Sequence, residues 1–407
     1  MRPSLDVTSN TSQSDRGAYA PAAALAIFRL LLLAALPYEA LFRYGDYEHF
    51  FNLAQFARES SGGWPFLGHW VEFPPLFPYL SLAIHALTGG TPHLYSYALA
   101  FLMTICDAAN VILLIRIAAK LSSLPAGLRI GWVYAAFLAL PAFGWWTFEP
   151  LAVFWLLLAL DAFVCERPIR AGLAIGLGVL TKLIPGAVLA VAWRFWPRRR
   201  AASATAVAAV VVAAGILPFF ALRPEMAAAS LQSQAAKGSW ETVWALLDGN
   251  RGTGIFGPLS ERLDPALATT PRGQPALVPP WIPSLIAGAV GLLFFLRTDG
   301  ADRRKAAPFL AFLLCLLFLW SRGWSPQWLS YLAPLMLLSL PLRQSLGFGL
   351  NLVAISLLEW PVLLSRGRFD LLWIPIVIRT ALILLLAITL APRTGKARAV
   401  PSGGGDG

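Results

Sequence analysis

Residues 23–42 read AALAIFRLLLLAALPYEALF, and residues 44–75 read YGDYEHFFNLAQFARESSGGWPFLGHWVEFPP. The first is an apolar run of the length that crosses a bilayer, since about 20 apolar residues in a helix span a hydrocarbon core of about 30 Å. The second places Asp46, Glu48, Arg58, Glu59 and Glu72 in one loop, with His49 and His69 among them. The whole chain of 407 residues is 57% hydrophobic and 13% charged. Its charged share is about half that of a soluble domain. In so greasy a chain, a loop this polar directly after an apolar run reads as lying at a membrane surface.

Working outward from that pair, apolar runs recur along the chain. They predict an all-α, polytopic helical membrane protein with about twelve transmembrane helices. The expected spans are 21–42, 93–118, 130–147, 150–165, 169–181, 183–196, 202–221, 281–297, 306–321, 327–341, 346–364 and 371–391. Basic residues follow every second span: Arg116 and Lys120, Arg167 and Arg170, Arg198 to Arg200, Arg303 to Lys305, Arg343, and Arg393 with Lys396. Lysine and arginine stay on the cytoplasmic side, so both termini are expected there. The outer side then receives two long loops, 43–92 and 222–280. It also receives most of the acids, including Asp46, Glu72, Glu149, Glu241 and Asp248.

The net charge of +11 is scattered between spans without a long basic run. That pattern fits a membrane protein and argues against nucleic-acid binding. Cys106, Cys165 and Cys315 lie in or at the ends of apolar segments, with no disulfide or zinc spacing. Residues 1–20 and 392–407 are expected as disordered cytoplasmic tails flanking one transmembrane domain over 21–391, and the first lacks the pattern of a signal peptide.

After Asp46 the loop predicts a helix. Tyr47, Phe50, Phe51 and Ala54 share one face, while Glu48, Asn52, Gln55 and Glu59 share another. This is an interfacial helix, its apolar face expected in lipid. The segment HWVEFPPLFPYLSLAIHAL (69–87) predicts a second interfacial helix after a proline turn. In the 222–280 loop, a helix over about 226–247 precedes a glycine-rich stretch suited to an acceptor lid. Asp46 has two readings: a helix N-cap accepting backbone N–H bonds, or a carboxylate base. His49, His69, His85 and His93 all lie in or beside this loop, in spacings that match no compact zinc pattern. No metal and no cofactor are therefore expected.

Three motifs carry a resemblance: EFPPLFPYLS (72–81) after the lone aspartate, GLAIGLGVLTKLIPGAVLAVAWRFW (172–196), and SRGWSPQWLSYLAPL (321–335). In this order the chain resembles the integral-membrane glycosyltransferases of the C-type fold over roughly residues 20–345. It is most similar to the bacterial polyprenyl-phosphate-mannose-dependent family, glycosyltransferase family 87, and more distantly to the GPI mannosyltransferases. The resemblance implies transfer of a hexose, mannose in that family, from a polyprenyl phosphate to an acceptor hydroxyl outside the cytoplasm. The acceptor would be a glycolipid or polysaccharide, and the enzyme would sit in the plasma (inner) membrane among its lipids. The family's catalytic carboxylate follows the first span, and Asp46 is the matching position. Its lysine-plus-proline segment matches Lys182 in TKLIP, and a basic residue ahead of Ser-Pro-Gln matches Arg322. Family members often carry another polar residue near Trp324, so this chain departs from the pattern there.

The chemistry is consistent with these roles. An inverting transfer needs one base at the acceptor hydroxyl, and a departing phosphate needs a cation rather than a proton donor. Lys182 and Arg322 are the candidates for that phosphate. A snorkelling lysine is the plainer reading of Lys182. His49, Glu72, Glu149, Ser325 and Gln327 are candidate substrate contacts. For Glu149 the alternative is an exposed acid in an aromatic belt, and for Ser325 it is a cap ahead of Pro326. Asp107, in mid-span, is expected to be paired. A flippase or transporter of a lipid-linked saccharide is the competing function, and a membrane scaffold a third. A transporter would show repeats and polar residues at mid-membrane depth; here the polar residues gather at the outer side.

Overall fold

The computed structural model describes residues 9–59, 62–252 and 256–392. Its helices are α1 (Ser9–Ala35), α2 (Tyr38–Phe42), α3 (Tyr47–Arg58), α4 (Leu76–Leu87), α5 (Pro92–Leu121), α6 (Leu124–Leu138), α7 (Glu149–Val164), α8 (Pro168–Thr181), α9 (Val188–Phe195), α10 (Arg198–Leu222), α11 (Pro224–Ala236), α12 (Val243–Asp248), α13 (Trp281–Arg297), α14 (Ala306–Trp320), α15 (Leu329–Ser339), α16 (Leu342–Leu357) and α17 (Trp373–Leu390). No strand occurs among the described residues, only isolated bridges such as Trp240 with Gly323. Helix α1 begins at Ser9, inside the expected tail; residues 1–8 and 393–407 lie outside the described residues.

Four helical stretches are long and apolar enough to cross a membrane: Pro92–Leu121, Arg198–Leu222, Leu342–Arg366 and Phe369–Leu390. By length, then, the structure does not give the expected twelve spans. Each expected segment does hold helix, but turns shorten many of them. The segment at 183–196 is a 3₁₀ turn at Ile184–Ala187 followed by α9, whose 8 residues rise only about 12 Å. Pro141 likewise ends the α6 segment in a 3₁₀ turn well before residue 147.

Small residues set the closest helix packing. A Cβ on Gly172 would fall 2.5 Å from the Ala204 carbonyl oxygen, and one on Gly176 would fall 2.6 Å from Val211 Cβ. These glycines, one turn apart on α8, let α10 approach backbone to backbone, as small-xxx-small pairs do in lipid. The outward faces of α10 and α13 are lined with exposed apolar side chains such as Val210, Leu217, Leu285 and Leu292. Exposed apolar surface on that scale marks contact with a membrane.

Helix α3 forms where the pattern places it. Tyr47, Phe50, Phe51 and Ala54 are buried, and Glu48, Asn52, Gln55 and Glu59 are exposed. Its apolar face meets protein, however, and not lipid. Phe50 packs edge-on to Phe77 of α4 at 4.8 Å and to Phe148 at 5.5 Å, while Phe51 meets Tyr95 of α5. Burying one such phenylalanine contributes about 2–3 kcal/mol. The expected helix over 226–247 is interrupted. Between α11 and α12 a strap over 237–242 leaves the helical path, because Trp240 N–H donates to the Arg322 carbonyl at 3.0 Å and not to its own turn. Gly238 lies so close to the Arg272 carbonyl oxygen that a Cβ would sit 2.3 Å from it.

Candidate active site

The site is built where the 43–92 loop meets the turn before α7. Gly45 is required there, since a Cβ would lie 2.7 Å from Trp146 Cα. The next N–H, that of Asp46, donates to the Trp146 carbonyl at 2.6 Å. Asp46 stands at the N-cap position of α3, yet its carboxylate makes no cap hydrogen bond. Among the described residues it also makes no ion pair. Burial raises its pKa to about 6; Glu149 adds to the rise, while His49, Lys182 and Lys237 oppose it. The carboxylate is left available and is near the point of taking up a proton at neutral pH.

Glu149 begins α7 and is buried, not exposed in an aromatic belt. It pairs with Lys182 and accepts from Thr147. Lys182 follows α8, and its backbone N–H donates to Gly178 at 2.7 Å, closing that helix. Its ammonium lies 5.2 Å from the Phe148 ring centre and 5.9 Å from that of Trp328. It therefore points inward and does not snorkel. Gln327 joins Glu149, Thr147 and Ser330 around a cavity of about 10 Å³, room for a single water.

Glu72 stands between two partners. Arg262 of the 222–280 loop grips it with two N–H groups, Nη2 to Oε1 at 3.1 Å and Nη1 to Oε2. His49 Nε2 meets the same Oε1 at 3.0 Å. Burial alone would raise the Glu72 pKa, but Arg262 and then His49 outweigh it and hold the carboxyl well below its usual range. Lys237, on the strap, lies 4.4 Å from the Phe256 ring centre and 5.1 Å from that of Trp240. It makes no ion pair among the described residues. Burial lowers its pKa, Arg262 and Lys182 lower it further, and Glu72 and Asp46 oppose.

The structure thus brings Asp46, His49, Glu72, Glu149 and Lys182 into one cluster, with Gln327 beside Glu149 at the small cavity. Arg322 is engaged elsewhere, 3.6 Å from Asp248. Ser325 precedes the Pro326–Trp328 turn without making a cap bond. Asp107 pairs with Arg29 at 2.7 Å. Arg262 and Lys237 are the residues that sequence reasoning missed. Each stands in the polar second loop, and nothing local marks either one; their partners lie far away in the chain. Among the described residues no group of three or more His, Cys, Asp or Glu side chains is placed to hold a metal ion.

No protein-family model and no curated protein matches the chain. Among solved structures it is similar to the oligosaccharyltransferase of Archaeoglobus fulgidus. The apo form is 13% identical with a TM-score of 0.46, covering 94% of this chain and 57% of that one. The form tethered to an acceptor peptide with the NVT sequon is 12% identical with a TM-score of 0.46, covering 94% and 56%. The complex of that archaeal enzyme, AglB, with an inhibitory peptide and a dolichol-phosphate is 14% identical with a TM-score of 0.45, covering 94% and 56%. The chain spans a little over half the length of those structures, and at such likeness no chemistry passes from them to it.

Proposed function

We propose that the chain is an integral-membrane glycosyltransferase of the C-type fold whose roughly twelve apolar segments cross the membrane, the shortened ones as parts of broken helices. It takes a hexose, mannose by its resemblance to family 87, from a polyprenyl phosphate. The acceptor is a hydroxyl of a glycolipid or polysaccharide on the outer face of the plasma (inner) membrane, with both termini cytoplasmic. The observation that carries this reading is the uncommitted Asp46 carboxylate beside two lysines, Lys182 and Lys237. Asp46 accepts the acceptor's proton as the oxygen attacks C1 of the sugar. The C1–O bond breaks on the opposite face, the phosphate leaves with the electron pair, and the anomeric configuration inverts. Lys237, with no acid bound to it among the described residues, takes the phosphate charge; Lys182 shares its own with Glu149 and supports it. Arg322, paired to Asp248, is not needed at the phosphate. Glu72 and Arg262 orient His49, and Gln327 and Glu149 line the sugar side.

The test is consumption of a radiolabelled polyprenyl-phosphate hexose by the purified protein in vesicles holding membrane acceptor lipids. Asp46→Asn, matched for expression, is expected to lower the rate about 10²- to 10⁴-fold. Full activity in that variant would sink the assignment. A flippase would leave the donor intact and move it between leaflets, so donor consumption also separates the two functions.

A further inference from the structure

The lysine assigned above to the phosphate stands on a strap whose shape is imposed from outside. Within 237–242, Trp240 N–H donates to the Arg322 carbonyl at 3.0 Å, and Trp324 N–H donates back to the Trp240 carbonyl at 3.1 Å. Thr242 Oγ1 donates to the same Arg322 carbonyl at 3.0 Å. Gly323 has no room for a side chain: a Cβ would lie 2.1 Å from the Trp240 ring. Between these ties Glu241 is bent to φ 52°, a left-handed conformation that a residue with a side chain holds only when its surroundings force it.

The forcing group comes from the last helix. Arg379, in α17, is buried. Its Nη2 donates to the Glu241 carbonyl, its Nη1 donates to Glu359, and its guanidinium lies 4.7 Å from the Trp324 ring centre. A buried arginine in an apolar helix is costly and is kept where it has work. One planar group here joins the π-helical turn Leu358–Leu363 that follows α16, α17 itself, the strap and the 322–324 turn. Fork geometry allows this, and a lysine's single ammonium would not match it.

We infer that Arg379 is a positioning residue: by fixing the strap at Glu241 it presents Lys237 to the anionic phosphate of the lipid donor, without itself touching that donor. This rests on the reading of Lys237 given above. The test is titration of the purified full chain with farnesyl phosphate as the probe. Lys237→Gln is expected to weaken binding roughly ten- to a hundredfold, the range of a lost charge-assisted contact. Arg379→Gln should weaken it in the same direction, and the double variant should bind no worse than Lys237→Gln alone, because both act through one group. Gly323→Ala pushes the strap from its other side while leaving every buried charge in place, and should mimic Arg379→Gln. In turnover, Arg379→Gln and Gly323→Ala should raise donor KM and lower kcat in the same sense as Lys237→Gln, because Lys237 also holds the charge of the departing phosphate. Normal binding by both Arg379→Gln and Gly323→Ala, or losses that add to that of Lys237→Gln, would overturn the inference. Normal binding by Lys237→Gln would instead remove the premise, which is a failure of the functional reading and visible as such.

Discussion

Asp46 sits where an aspartate ordinarily caps a helix, but its carboxylate makes no cap bond. Burial raises its pKa to about 6 from 3.8. A base acts only when ionised, so activity should fall as pH drops through about 6, well above where an ordinary aspartate titrates. A rate profile in which the acid limb lies near 4 would contradict this. Lys237 sets the other limb. Burial between Phe256 and Trp240 lowers its pKa, so activity should fall on the alkaline side earlier than for an exposed lysine. Lys237→Arg should abolish that limb, because a guanidinium stays charged. Asp46, Glu72 and Lys182 were legible as candidates because each is an ionisable residue beside an apolar run. Lys237 and Arg262 were not. Their meaning comes from Phe256, Trp240 and Glu72, contacts made across loops that no local periodicity encodes.

At the scale of the element, α3 was readable to the residue: its two faces are buried and exposed as the spacing requires. What lay against the buried face was not readable, since an apolar stripe fits lipid and protein alike. The number of spans was obscured for a related reason. Apolar length identifies α5 and α10, but turns such as Ile184–Ala187 divide other runs into helices too short to cross alone. The α8–α10 contact, by contrast, follows from Gly172 and Gly176. Gly176→Leu should force α10 away, because a Cβ there already lies 2.6 Å from Val211 Cβ. Overpacking of this kind costs about 1–3 kcal/mol. The variant is expected to show a lower midpoint of thermal unfolding in detergent, with its donor affinity kept. An unchanged midpoint would mean that the helices are not held at that contact.

Across the whole molecule, the two long loops are joined at one buried ion pair. Glu72 comes from the 43–92 loop and Arg262 from the 222–280 loop, and both side chains are almost fully buried. Trp70 N–H reinforces the junction by donating to the Arg262 carbonyl at 3.0 Å. A pair like this adds little net stability compared with a well-packed apolar pair, but removing one partner strands the other at about 3–5 kcal/mol. Arg262→Met should therefore release the second loop. Amide exchange over 256–272 should quicken, and His49, no longer braced through Glu72, should lose its place beside Asp46. The double variant Glu72→Gln with Arg262→Met carries no stranded charge and should recover part of the exchange protection, whereas it should not recover activity. The pH sign follows from the depressed Glu72 pKa. Its contribution is in full force above the ordinary carboxylate range and is lost only as pH falls through the lowered folded value. Exchange over the same residues should accordingly stay slow at pH 6, where Asp46 is already titrating, so that the acid loss of activity precedes any opening of the loops. Opening that sets in together with the activity loss would show that one event causes both, and would move the acid limb from Asp46 to the loop junction.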